Sequence, residues 1–274
     1  MEDMKRHYSR VLTIAGSDPS GGAGIQADLK TMSALGCYGM SAIVAVVDEN
    51  TVGVTGVHPI PVNFVTGQIH SCLDDIGADA VKIGMLHSSE LIRAVRDTLD
   101  EYPDLKNIVL DPVMVATSGD PLLEADAVET LREVLVPRAR VITPNIPEAE
   151  LLLGEKINSQ DELPAFAREL SAKCSGVSVL LKAGHLDDEQ LIDIFYNAET
   201  DEIWPLMSKR LHTVNTHGTG CTLSSAVAAS LAKGMELTDA VRAAKNYISA
   251  AIEAGAGYEI GHGHGPVHHF HNWW

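Results

Sequence analysis

The stretch Val11-Leu12-Thr13-Ile14-Ala15-Gly16-Ser17-Asp18-Pro19-Ser20-Gly21-Gly22-Ala23-Gly24-Ile25-Gln26-Ala27-Asp28 runs from an apolar β-branched segment through small residues into a helical pattern. The same unit recurs along the chain. Short apolar runs predict strands at 11–15, 41–47, 80–83, 107–110, 140–143 and 177–181. Helical patterns fall between them at 24–35, 62–75, 89–101, 122–135, 147–153 and 162–174. Strands that are apolar throughout, separated by helices, indicate a parallel sheet buried on both faces. Right-handed crossovers then wind it into a three-layer α/β/α structure with a mostly parallel central sheet. Residues 190–212 read as short strands or a hairpin, and 219–233 and 237–254 as two further helices. In such open sheets ligands bind beyond the C-terminal strand ends, so the polar residues there are the candidates for function.

Composition narrows the classes. The 274 residues are 45% hydrophobic and 21% charged, ordinary for a soluble globular chain. No Pro-, Gly- or Ser-rich linker and no internal repeat divides them, so 1–274 is expected to be one domain, with 1–9 a flexible extension. A net charge of −17 argues against nucleic-acid binding, which needs basic patches. An anionic ligand must therefore be drawn by local amides, lysines or a cation. Cys37, Cys72, Cys174 and Cys221 form no CxxC pair, which suits reduced thiols and a cytoplasmic location. The N-terminus lacks an apolar signal core, and no apolar run reaches membrane-span length.

The strongest functional signal is Asn215-Thr216-His217-Gly218-Thr219-Gly220-Cys221, followed by a small-residue helical run. Two glycines let the backbone turn tightly and approach a ligand. Free amides and the positive helix end behind them favour an anion. Cys221 would sit in the first turn. Gly-x-Gly before a helix also serves as a plain turn and cap. The glycine-rich 16–24 loop is neither a P-loop nor a dinucleotide fingerprint, and Asp28 behind it could equally be a solvated helix residue. Glu49 closes an apolar run where a carboxylate could meet an amino group, or simply water. Asp111, in Leu110-Asp111-Pro112-Val113-Met114, and Glu148, in Pro144-Asn145-Ile146-Pro147-Glu148, lie at strand ends of one polarity. Oxygen donors there suit Mg²⁺, although Pro147 and Glu148 are also ordinary helix-start residues. Lys182 ends another strand and could pair with phosphate.

Taken in order, Ala15–Asp28, Lys82-Ile83-Gly84-Met85-Leu86, the Asp111 and Asn145 segments, Lys182-Ala183-Gly184-His185 and the 215–221 loop resemble one family. It is the hydroxymethylpyrimidine/phosphomethylpyrimidine kinases of thiamine biosynthesis, members of the ribokinase-like superfamily. The resemblance covers residues 10–272. It implies ATP-dependent phosphorylation of 4-amino-5-hydroxymethyl-2-methylpyrimidine to its monophosphate and then to the diphosphate.

Carried over by position, Gly218, Thr219, Gly220 and Cys221 would cradle the transferring phosphoryl group. Cys221 stands where related sugar kinases have an aspartate base, its thiol expected to be lowered by the helix N-terminus. Gly16, Ala23, Asp28, Glu49, Met85 and Val113 would hold the pyrimidine, with Asp28 receiving the hydroxymethyl hydrogen bond and Glu49 the 4-amino group. The family most often has glutamine at position 49, and ionised glutamate only accepts. Asn145 and Lys182 would contact ATP phosphates, and Asp111 and Glu148 would hold Mg²⁺. Adenine contacts are expected within 208–217 and 244–252, with Thr213 a candidate. A homodimer is implied by the resemblance alone. Pyridoxal kinase is the alternative enzyme, and a vitamin-precursor sensor without catalysis the alternative class. The tail Gly261-His262-Gly263-His264-Gly265-Pro266-Val267-His268-His269-Phe270-His271-Asn272-Trp273-Trp274 reads as a docking segment anchored by its two tryptophans rather than as a metal site.

Overall fold

The computed structural model describes residues 7–114, 123, 126–184, 186 and 188–274. Their strands are β1 (Arg10–Ala15), β2 (Tyr38–Ile43), β3 (Ala45–Glu49), β4 (Val54–Pro59), β5 (Ala80–Ile83), β6 (Ile108–Leu110), β7 (Val141–Ile142), β8 (Ser178–Leu181), β9 (Gln190–Asn197) and β10 (Glu202–Lys209). Their helices are α1 (Gly24–Ala34), α2 (Val62–Asp75), α3 (Ser89–Asp100), α4 (Ala127–Thr130), α5 (Ile146–Leu153), α6 (Leu163–Lys173), α7 (Thr219–Ala232) and α8 (Leu237–Gly255). The central sheet has the order β10-β9-β8-β7-β6-β5-β1-β2. β1, β2, β5, β6, β7 and β8 run parallel, while the β9–β10 hairpin adds two antiparallel strands at one edge.

Strand alternation builds the three layers. Leu12, Ile14, Val81, Leu110, Ile142 and Leu181 join the core under α2, α3, α5 and α6. Their neighbours Val11, Ala80, Val109, Val141 and Leu180 face the opposite core, made with α1, α7 and α8. Both faces are covered, which is why these strands read as unbroken apolar runs. α7 is packed against α1, α8 and strands β1, β5 and β6. Ala226, Val227, Ala228 and Ala229 are all fully buried there, and small side chains let the helix sit close to the sheet.

Three expectations change. The strand predicted at 41–47 is two strands. The chain leaves the sheet after Ile43, and β3 pairs antiparallel with β4 as a separate two-stranded flap. The apolar run through Val47 hides this break, which is fixed at Val44: its N donates to Ala15 O and its carbonyl accepts from Ile60 N. β4 has no counterpart among the predicted strands, because five of its six residues are polar, small or exposed enough to read as loop. The helix predicted at 122–135 begins outside the described residues; what is described is α4 and a π-helical turn over Leu131–Leu135. Residues 1–6 of the expected extension, and His185, also lie outside them. Ser9 already joins the sheet, its carbonyl accepting from Tyr38 N at 2.9 Å. Among the described residues no helix is long and apolar enough to cross a membrane.

Candidate active site

A cavity of about 670 Å³ opens at the C-terminal ends of the parallel strands, where the strand-end argument places a ligand. Its floor is the N-terminus of α7. Gly218 caps that helix with φ 75°, a left-handed conformation that favours glycine. A Cβ there would also overlap the Gly22 carbonyl, so the 215–221 loop and the glycine-rich loop after β1 interlock only without side chains. Thr219 N donates to Thr216 O and Thr222 N to Gly218 O, while helix geometry leaves Gly220 and Cys221 amides without carbonyls a turn earlier. A Cβ on Gly220 would lie 3.3 Å from Asp111 Oδ2 and 3.4 Å from Lys182 Nζ. The anion loop, a carboxylate and an ammonium therefore meet at one point.

Asp111 follows β6 and is 2% exposed. Its Oδ1 accepts from Thr143 Oγ1 at 2.8 Å and from Lys182 Nζ at 3.2 Å. Burial alone would lower the Lys182 ammonium, but Asp111 and Glu148 outweigh it and hold it charged. Asn145 caps α5 in a capping box: its Oδ1 accepts Glu148 N at 2.9 Å, and Glu148 Oε2 accepts Asn145 N at 2.8 Å. Burial pushes the Glu148 carboxyl up, and neighbouring Asp111 adds to that against Lys182.

A second buried group lies under the first turn of α7. Thr13 and Lys82 are register partners on β1 and β5, on the face toward α1 and α7. Asp28 of α1 receives Thr13 Oγ1 at 2.6 Å, Lys82 Nζ at 2.9 Å and Ser225 Oγ at 2.7 Å. Asp28 is fully buried and does not line the cavity, so its expected hydrogen bond to a substrate hydroxymethyl is corrected: both its oxygens are occupied within the protein. Lys82 does line the floor. Burial opposes its charge, and the carboxylates of Asp28 and Asp111 restore it.

The expectation for the Cys221 thiol is also corrected. Burial pushes it up to about 12, with Asp28 and Asp111 in the same direction, against Lys82 and the Gly24 amide. The helix N-terminus does not prevail because the thiol, at the floor of the cavity, is largely enclosed by protein and two carboxylates lie near it.

Gly16, Ala23, Glu49, Met85 and Val113 line the other end of the cavity, where Met85 Cε packs so closely on Gly16 that a Cβ would come within 2.7 Å. Asp18 and His217 join them, two residues to which the sequence reading gave no role. Asp18 is 1% exposed, and its carboxylate accepts from Ser20 N, Ala23 N and His217 Nε2 at 2.8, 2.7 and 2.9 Å. Burial would raise this carboxyl, but His217, Ser20 and Ala23 together hold it well below the usual range. His217 Nε2 is also 3.9 Å from Glu49 Oε1. The signal for both was position: Asp18 three residues past β1, His217 directly before the helix cap. Residues 208–211 and Lys245, Ile248, Ser249 and Ile252 also line the cavity, but Thr213 does not; its hydroxyl accepts from Asn215 N at 3.1 Å.

A parallel sheet with an amide-bearing helix end, a lysine and carboxylates gathered at its strand ends is the ribokinase-like kinase arrangement. Residues 18–268 match the family described as phosphomethylpyrimidine kinase, and the chain belongs to that family. It is 50% identical over 263 residues to the hydroxymethylpyrimidine/phosphomethylpyrimidine kinase of Rhizobium meliloti, covering 96% of this chain and 97% of the relative. Among solved structures it is similar to an ADP complex of Bacillus subtilis pyridoxal kinase, with TM-score 0.86, 40% identity and coverage of 96% and 98%. The phosphomethylpyrimidine kinase of Clostridium difficile superposes with TM-score 0.78 at 44% identity, covering 89% of this chain and 99% of that one.

Proposed function

We propose that this chain transfers the terminal phosphate of ATP to 4-amino-5-hydroxymethyl-2-methylpyrimidine, and a second phosphate to the resulting monophosphate, in thiamine diphosphate biosynthesis. The observation that carries this reading is the meeting of Gly220, Asp111 and Lys182 beneath a cavity whose lining also holds Gly16, Ala23, Met85 and Val113 beside Glu49. Family membership supports the substrate class. In this reading the enzyme is a cytoplasmic homodimer, in keeping with four unpaired thiols.

The pyrimidine lies among Gly16, Ala23, Met85 and Val113, with Glu49 accepting from its amino group. The nucleotide lies along 208–211 and 245–252, its phosphates paired by Lys182 and reached by Asn145. The hydroxymethyl oxygen attacks the terminal phosphorus as the bond to ADP breaks, and its proton passes late to an oxygen of the transferred phosphoryl group. Amides of Gly218, Thr219, Gly220 and Cys221 receive the charge that spreads over the phosphoryl oxygens. Transfer through a loose transition state needs little prior proton removal, so a protonated Cys221 thiol is compatible with the reaction. The thiol is placed to hydrogen-bond the attacking oxygen, and Lys82, held charged below it, favours negative charge at that point. Asp111 and Glu148 suit Mg²⁺: they are buried oxygen donors that lie near each other at the phosphate side of the cavity. Bound Mg²⁺ supplies neutralisation of the ATP phosphate oxygens.

The test is a coupled ATP assay with the pyrimidine alcohol, its monophosphate and pyridoxal. Turnover of both pyrimidines at a higher kcat/KM than pyridoxal is expected; preference for pyridoxal, or no ADP release with any of the three, would overturn the assignment.

A further inference from the structure

The glycine-histidine run that follows α8 has no part in the reaction above, yet it is fastened at both ends to the site. One end meets the flap. Thr51 sits in the β3–β4 turn, two residues beyond Glu49. Its Oγ1 accepts from His262 N and Gly263 N, both at 3.2 Å, and its carbonyl accepts from His264 N at 2.7 Å. Gly261 and Gly263 lie so close to Thr51 that a Cβ on either would overlap it, and Gly261 has φ 71°.

The other end meets the anion loop. Gly265 O accepts from His217 N at 3.0 Å, Pro266 forms a bridge with His217, and His264 Nδ1 is 3.3 Å from Val214 O. Gly265 packs on Asn215, whose Nδ2 donates to Gly255 O and Tyr258 O at 2.8 and 2.7 Å. Beyond it, Val267 and His269 are buried, and His269 Nε2 is 3.1 Å from Thr222 Oγ1 on α7. Residues 262–265 thus span from the flap to the phosphate-side loop, with three amides on Thr51 and one carbonyl on His217.

A two-stranded flap has no sheet neighbour to fix it and is marginal alone. We propose that the segment 261–266 is a strap that positions the substrate pocket: Thr51 is its latch, and through it Glu49 on the flap and His217 on the anion loop are held in register around the pyrimidine. Thr51 is a positioning residue, acting through Glu49. This rests on the pyrimidine lying beside Glu49, as proposed above.

The test compares Thr51→Ala, Thr51→Ser, Gly263→Ala and Glu49→Ala in the full chain, reading KM for each substrate, kcat and Tm. Thr51→Ala removes the acceptor for two amides. It is expected to raise the pyrimidine KM about 5- to 10-fold while the ATP KM stays within about twofold, and Thr51→Ser is expected to restore it. Gly263→Ala, which forces the strap off Thr51, is expected to match Thr51→Ala. A Thr51→Ala enzyme with unaltered pyrimidine KM, or with both KM values moved equally alongside a fall in Tm, would overturn the strap. Glu49→Ala separates the two readings: if it raises the pyrimidine KM while Thr51→Ala does not, the strap alone fails. If Glu49→Ala leaves that KM unchanged, the placement of the pyrimidine fails and the strap with it.

Discussion

At position 221 a thiol stands in the first turn of a helix, where the positive end of the backbone dipole ordinarily favours a thiolate. Depth reverses that. Burial pushes the group up to about 12, and Lys82, the cation beneath it, offsets only part of the effect. In the free enzyme, iodoacetamide labelling of Cys221 followed by mass spectrometry is therefore expected to rise about tenfold per pH unit from about pH 7 to about pH 10, with no plateau near the ordinary thiol value of about 8.5. A plateau between pH 7 and 8 would show a lowered thiol instead. Sequence places Cys221 and its glycines at a helix start, where the structure has them, because a helix start is a local pattern. It could not place Asp28, whose partners Thr13, Lys82 and Ser225 lie 15, 54 and 197 residues away. A carboxylate beside a glycine loop looks the same in sequence whether it faces a ligand or three internal donors.

Among the elements, α7 and the strands around it were legible, since buried parallel strands and a small-residue helix each leave a continuous local pattern. The flap was not, because its first strand continues the apolar run of β2 and its second is half exposed. The C-terminal tail shows the same limit. It docks as expected, but its buried anchors are Val267 and His269; Trp273 and Trp274 are 68% and 76% exposed, with Trp273 Nε1 donating to Ala34 O at 3.1 Å and Trp274 lying against His268. His269 is lowered to about 4, by burial first and then by Lys30 and His268. A histidine whose folded value lies below its unfolded one of about 6.5 adds stability that is complete above pH 6.5 and drains as pH falls toward 4. Between pH 6.5 and 5 this amounts to about 1.5 kcal/mol. Urea unfolding of the native chain is expected to show that loss, and His269→Gln is expected to lack it. Equal slopes for the two proteins would remove His269 from the account. The depressed Asp18 carboxyl acts at lower pH, because its stabilisation is complete above the ordinary carboxylate range and is lost only below it.

On the scale of the whole molecule, five parallel strands of the eight-stranded sheet carry Gly16, Lys82, Asp111, Asn145 and Lys182 to a common edge, each near or just past a strand end. The flap and the C-terminal strap close that edge on one side, and α7 enters it from below with its amides foremost. The account's central claim is that those amides and Lys182 receive the phosphate that moves. A crystal structure with the pyrimidine alcohol and magnesium AMP-PCP tests this directly. The account predicts terminal-phosphate oxygens about 3 Å from the amides of Gly220 and Cys221 and from Lys182 Nζ, with the hydroxymethyl oxygen facing the same phosphorus. A terminal phosphate directed away from α7, with the pyrimidine elsewhere than beside Glu49, would contradict it.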